Sequence, residues 1–234
     1  MKKTVFTVLA LIAVTLVLAS CSNKDSSAFK FSKDTLKATS GDTQISISHN
    51  TRVTITDDQL NTTVFGGGDT VSSLGDFELS GVKIGDRVDS FISAFALSDN
   101  NAMWETSLVI NDEEVLFNYP AYTAKDYKSH KINFNAYDDI FLTVGFYTEK
   151  GSQDSEEWKV LDYNNLYQLW NLEQPKYKED LFEDICFISA GLDENGTINM
   201  IDVYYGSFES FAENEQYSVD IDYFNDEDDS SMEE

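Results

Sequence analysis

Beside its 42 Asp and Glu, this 234-residue chain holds only two cysteines and two histidines among the side chains most used as nucleophiles, bases and metal ligands. Cys186 stands between Ile185 and Phe187 with no basic neighbour to lower its pKa, the setting of a buried, inert thiol. His49 and His130 are about eighty residues apart and neither belongs to a closely spaced ligand set, so zinc has no ready site. Neither Gly-x-Ser-x-Gly nor His-Glu-x-x-His occurs. A carboxylate pair for glycoside hydrolysis is defined by separation in space, which the order of residues leaves open. Asp193, Asn195, Gly196 and Asp202 echo part of a calcium loop, with Asp202 where the closing carboxylate would stand. The first ligand position, however, is Gly191, and Asp193-Glu194-Asn195-Gly196 has the composition of a hairpin turn. Gly66-Gly67-Gly68-Asp69 is not followed by Gly-Lys-Ser/Thr and is no phosphate-binding loop. These residues predict no catalytic group, no metal and no cofactor, which leaves recognition. Trp158, Tyr163, Tyr167 and Trp170 crowd a short stretch; exposed, such rings stack on sugars or anchor a protein partner, and turned inward they build a core. Leu161, Leu166, Leu169 and Leu172 interleave with them, so one stripe cannot bury them all.

The remaining thiol, Cys21, has a different context. Met1-Lys2-Lys3 form a short basic segment, and residues 5–19 are apolar apart from Thr7 and Thr15. This run is shorter than the roughly 20 apolar residues of a spanning helix and gives way at once to polar sequence, the pattern of a cleaved signal. Its end, Leu18-Ala19-Ser20-Cys21, resembles the lipobox of bacterial lipoproteins. The resemblance covers the first 21 residues. It implies cleavage between Ser20 and Cys21, a diacylglyceryl thioether on Cys21, and a mature chain tethered by that residue on the extracytoplasmic face. Two or more acyl chains make such a tether stable where one is marginal. Ser22 supplies no acidic residue after the cysteine, and one- and two-membrane envelopes are both compatible with the segment.

The chain carries 16 Lys and Arg against 42 acids, a net −26, which excludes an electrostatic footprint for nucleic acid. Removal of residues 1–20 takes two lysines and no acids, so 14 bases and 42 acids leave −28. Residues 22–41 hold four lysines and two aspartates, a net +2, and the 10 bases and 40 acids that follow give −30. A basic stub beside the lipid and an acidic body suit a tether lying against anionic headgroups with the body held off, and the acidity also keeps an exported domain soluble.

Chemistry of this kind needs a scaffold, and 41% apolar and 13% aromatic residues suffice for a core. Residues 1–20 read as signal peptide, 21–42 as lipidated N-terminus and flexible linker, 43–80 as a β-rich segment, 81–224 as an α+β body, and 225–234 as an acidic disordered tail. Ile45/Ile47 and Val53/Ile55 alternate with polar residues around His49-Asn50 and predict a hairpin. Residues 61–65 predict a further strand before the glycines. Val88, Phe91, Ile92 and Phe95 fall on one face of a helix that Asp86 can cap and whose first turn holds Asp89. Residues 104–110 and 115–119 predict a hairpin, 131–135 and 140–147 two more strands with a bulge at Gly145, and 163–172 a second helix closed by Pro175. Residues 185–192 and 197–205 predict a hairpin across the Asn195-Gly196 turn, and 217–223 a last strand.

Gly81-Val82-Lys83-Ile84-Gly85-Asp86, its amphipathic helix and the hairpin after it are similar to the module of β-lactamase-inhibitor-like proteins and of small lipoproteins of the barrel-assembly machinery. The similarity covers 81–120. It implies a sheet with helices on one face, a structural role for Gly85 and Asp86, and protein binding; a diverged second helix and hairpin at 163–205 would repeat it. The expected protein is an α+β lipoprotein, mainly antiparallel sheet with two packed helices. It attaches to the membrane by its lipid and binds a protein or glycan through Trp158, Tyr163, Tyr167 and Trp170. An envelope carbohydrate- or peptidoglycan-directed hydrolase and a structural surface lipoprotein are the alternative readings, and the oligomeric state is open.

Overall fold

The computed structural model describes residues 31–32, 35–72, 76–121, 134–151, 157–170 and 181–216. The expected signal segment with Ser20 and Cys21, His130, Pro175, the strand expected at 217–223 and the tail expected at 225–234 lie outside these residues.

The described chain is mostly antiparallel β-sheet with few helices. Its elements in order are β1 (Lys37–Ser40), β2 (Thr43–Ser46), β3 (Thr51–Ile55), β4 (Leu60–Val64), β5 (Asp69–Ser72), β6 (Glu78–Leu79), β7 (Val82–Lys83), α1 (Val88–Ala94), β8 (Ala102–Ile110) and β9 (Glu113–Pro120). Then come β10 (Asp139–Glu149), β11 (Lys159–Val160), α2 (Tyr163–Trp170), β12 (Phe182–Leu192), β13 (Ile198–Ser207) and α3 (Phe208–Gln216). A nine-stranded sheet runs β5-β4-β3-β13-β12-β10-β8-β9, with β11 paired to β10; a smaller one runs β2-β1-β6-β7.

The alternation of side chains along a strand divides the core in two. Along β12, Cys186, Ile188 and Ala190 point to one face, where α1 and the small sheet cover them. Ile185 and Phe187 point to the other, toward Leu166 and Leu169 of α2 and Phe211 of α3. The chain is therefore layered, with the large sheet in the middle and helices on both faces, not on one as the module similarity implies. There are three helices among the described residues, where two were expected. The two helix-then-hairpin units are not equivalent, because α1 and α2 lie on opposite faces.

The expected amphipathic helix is α1, and Val88, Phe91, Ile92 and Phe95 are all buried. Asp86 does not cap it. Its Oδ2 accepts the Lys83 N–H and closes the turn ahead of the helix, and the N-cap position falls to Arg87, whose side chain makes no capping bond. The hairpins β8–β9 and β12–β13 form as expected.

Other expectations fail for reasons of long-range packing. Residues 37–40 are a strand and not linker: β1 pairs with β2 and β6, Leu36 and Ala38 are buried, and Phe31 stacks on Phe146 at 4.3 Å. Strand β3 of the 43–80 segment pairs with β13 of the later body inside the large sheet. His49-Asn50 does not join a hairpin; it carries the chain from β2 in the small sheet to β3 in the large one. Residues 134–136 form a 3-10 turn where the tail of a strand was expected. The bulge in β10 lies between Tyr147 and Glu149, not at Gly145. Gly145 is glycine for another reason: a Cβ there would sit 2.6 Å from Leu161 Cδ1 and 3.0 Å from Leu166 Cδ1, so its absence lets the Leu161–α2 segment settle on the sheet.

Candidate binding surface

The aromatic stretch is divided by the sheet. Trp158 packs on the α1 side, 4.8 Å from Phe31 and 5.8 Å from Tyr205. Tyr163, Tyr167 and Trp170 belong to α2 on the opposite side. The four residues therefore do not form one site. Helix α2 is positioned by Asp162, which accepts the Asn165 N–H at 2.9 Å, and by the Tyr163 N–H, which donates to the Asn100 carbonyl at 2.7 Å. Its Leu166 and Leu169 are buried, which turns Tyr163 and Tyr167 into a half-exposed pair with ring centres 6.0 Å apart. Trp170 meets Phe187 edge-on at 5.4 Å and donates its indole N–H to Glu105 Oε2 at 2.8 Å. Burial raises the Glu105 carboxyl above the ordinary carboxylate value; the Trp170 bond opposes this, and the charge of Glu114 adds to it.

A polar row crosses the same face. Thr54, Asp202, Ser189 and Thr143 stand opposite one another on β3, β13, β12 and β10. Thr54 donates to Asp202 Oδ1 at 2.8 Å, Arg52 donates to Oδ2 at 2.9 Å, and the Thr143 and Ser189 hydroxyls are 2.7 Å apart. Burial raises the Asp202 pKa, and Arg52 and Thr54 pull it down without cancelling the rise. Glu105 and Asp202 are the carboxylates raised in this way among the described residues. They stand three strands apart, about 14 Å at ordinary strand spacing. That exceeds the roughly 5 to 9.5 Å of a glycosidase pair.

The apolar surface lies elsewhere. Val109, Ile110, Leu116 and Phe117, all on the β8–β9 hairpin, remain 41 to 60% exposed. Residues directly opposite in the register share a face, which places Ile110 and Phe117 with Leu108 and Val115 on one side and Val109 and Leu116 with Glu114 on the other. Both faces of the hairpin are thus apolar. Its tip is acidic, with Asp112, Glu113 and Glu114, and 99–121 contains five acids and no Lys, Arg or His. These positions were missed among the sequence candidates, although their signal was present: Leu108-Val109-Ile110 and Val115-Leu116-Phe117 are unbroken apolar runs where a strand with one solvated face would alternate.

The other chemistry-bearing residues have structural work. Cys186 is fully buried and burial pushes its thiol well up, as expected of an inert position. His49 is a turn residue whose Nε2 lies 2.8 Å from Asp184 Oδ1, with its ring edge-on to Tyr205. Asp193 Oδ1 accepts the N–H groups of Asn195 and Thr197, both at 2.8 Å, and Gly196 sits at φ +72°. Partial burial pushes the Asp193 carboxyl up, but the bonds from Thr197 and Asn195 outweigh it and the net direction is down. Among the described residues no group of three or more His, Cys, Asp or Glu could hold a metal ion, and no helix is long and apolar enough to cross a membrane. No family model, curated protein or solved structure matches the chain.

Proposed function

We propose that this protein is a lipid-anchored, extracytoplasmic binding module of the bacterial envelope, held by Cys21 and engaging a protein partner through the β8–β9 hairpin without catalysing a reaction. One observation carries the binding role: an otherwise acidic body leaves four large apolar side chains, Val109, Ile110, Leu116 and Phe117, exposed together on one hairpin. Exposed apolar groups clustered in this way cost solubility and are retained where a partner covers them. The tether rests on the lipobox resemblance of Leu18-Ala19-Ser20-Cys21, and the basic stretch after it suits an anionic membrane surface while the −30 body stands away.

The α2 face supports a scaffold role for Trp170, which is engaged by Glu105 and Phe187, and Tyr163 and Tyr167 pack part-buried against the same cluster. The binding assignment accordingly moves from these aromatics to the hairpin. A photo-reactive residue at position 116 of the full lipidated chain, activated in intact envelopes, tests it. The expected result is a discrete cross-linked product that the same residue at position 83, the exposed residue of β7, does not give. Equal labelling from both positions, or none from 116, would remove the assignment.

A further inference from the structure

We propose that the outer edge of β9 takes up a basic, extended segment of a partner protein, which joins the large sheet as its tenth strand. This rests on the binding-module reading above and narrows it to one edge and one ligand chemistry.

Strand β9 ends the sheet, and among the described residues it pairs with β8 alone. In such an edge strand every second residue turns its N–H and C=O outward, a template for another strand. Over Glu113–Phe117 this template is flanked by exposed apolar side chains on both faces, Phe117 on one and Leu116 on the other. Pro120 has no N–H to offer, so pairing stops before it.

The charge selects the occupant. Asp112, Glu113 and Glu114 stand at the hairpin tip, Glu105 lies on the same face as Glu114, and no cation occurs across 99–121. The mutual influence of these acids is already felt inside the chain, where the Glu114 charge adds to the burial that raises Glu105. A second copy would bring another strongly acidic body edge to edge, and an anionic headgroup layer would be repelled in the same way. A strand alternating apolar and basic residues meets both demands. Its apolar side chains lie beside Val115 and Phe117, while lysine stems cover Leu116 and carry their ammonium groups to Glu114. Main-chain bonds supply affinity and the alternating side chains supply selectivity, as in other strand-addition complexes.

The test uses the full chain, isotope-labelled in zwitterionic micelles, and three capped ten-residue peptides. One alternates Val and Lys, one alternates Val and Glu, and one is the Val-Lys peptide with two valines replaced by proline at unchanged charge. The expected result is that Val-Lys shifts and protects the amides of 113–117, that proline weakens binding by at least ~10-fold, and that Val-Glu does not bind. Glu113→Lys with Glu114→Lys is expected to reverse the preference between Val-Lys and Val-Glu. The proposal is overturned if the proline peptide binds as well as Val-Lys, which is charge attraction only. Perturbation confined to amides outside β9, or self-association of the chain through the same amides at rising concentration, overturns it equally. If the residue at 116 still cross-links a partner in the envelope while β9 ignores the peptides, strand addition fails and the binding role stands.

Discussion

Arg52 and Asp202 bring opposite charges from neighbouring strands to one side of the sheet, and solvent treats them unequally: the Arg52 side chain is 45% exposed and that of Asp202 only 7%. Because burial holds the Asp202 pKa above its unfolded value, its contribution to stability is complete below about pH 3.9 and is lost as pH rises through the raised folded value. Above that value the ionised carboxylate depends on Arg52 and Thr54. Arg52→Ala should therefore destabilise by about 1–2 kcal/mol near neutral pH, solvent screening keeping the cost modest, and by less in acid, once Asp202 has taken up its proton. Urea midpoints at the two pH values measure this, and an equal loss at both would contradict it. Thr106 presents a different balance, since its hydroxyl is buried without a hydrogen-bond partner among the described residues. Thr106→Val keeps the shape and should raise stability by about 1 kcal/mol, read from the same denaturation curves. At this scale the sequence was legible wherever the neighbours in the chain set the chemistry. Cys186 between two apolar residues and Asp193 in an Asn-Gly turn behave as their local context requires. The Glu105–Trp170 bond joins residues 65 positions apart, and no local pattern points to it.

Hairpins and the short helix α1 were legible as elements because both are encoded in adjacent residues: β8–β9 and β12–β13 by apolar runs around turn residues, α1 by four apolar side chains at helical spacing. The small sheet was not. Residues 37–40 read Lys-Ala-Thr-Ser, with almost no apolar signal, and become a strand because Ala38 finds Leu79 some forty residues later. Gly145 illustrates the same limit, since its lack of a side chain answers to Leu161 and Leu166 and not to a local bend. Gly145→Ala should lower stability by about 1–3 kcal/mol through overpacking and loosen α2, detected as faster amide exchange in 163–170. Unchanged exchange there would show that the helix accommodates the methyl. Hairpin β12–β13 is expected to depend on Asp193, whose carboxylate pKa is depressed by the bonds it accepts. Its contribution is present above the unfolded value and lost as pH falls through the folded one. Asp193→Ala should therefore lower the Tm at neutral pH and converge on the parent in acid; a constant difference would contradict this.

For the whole molecule, charge and apolar surface are distributed unevenly, and the account depends on that polarity. Four lysines and two aspartates follow Cys21 within twenty residues, while −30 belongs to the chain beyond residue 41. The proposed place of attachment is read from the sequence alone, because a lipid signal is a contiguous string. The proposed binding surface is not, because exposure is a property of the folded chain: Trp158 and Trp170, close in sequence, end on opposite faces, whereas Val109 and Leu116 become exposed neighbours on one face at a sheet edge. Reversing the tip charge with Glu113→Lys and Glu114→Lys is expected to leave the free energy of unfolding within about 0.5 kcal/mol of the parent while changing what the hairpin binds; a large loss of stability would give these acids a structural role instead. The central claim, a binding body held at the membrane by lipid, is tested most directly by fractionating cells that make the parent chain or Cys21→Ala and weighing the N-terminal peptide. The account predicts that the parent sediments with membranes and begins at a diacylglyceryl-bearing Cys21, and that Cys21→Ala is released. Membrane retention of Cys21→Ala, or an unmodified thiol on the parent, would contradict it.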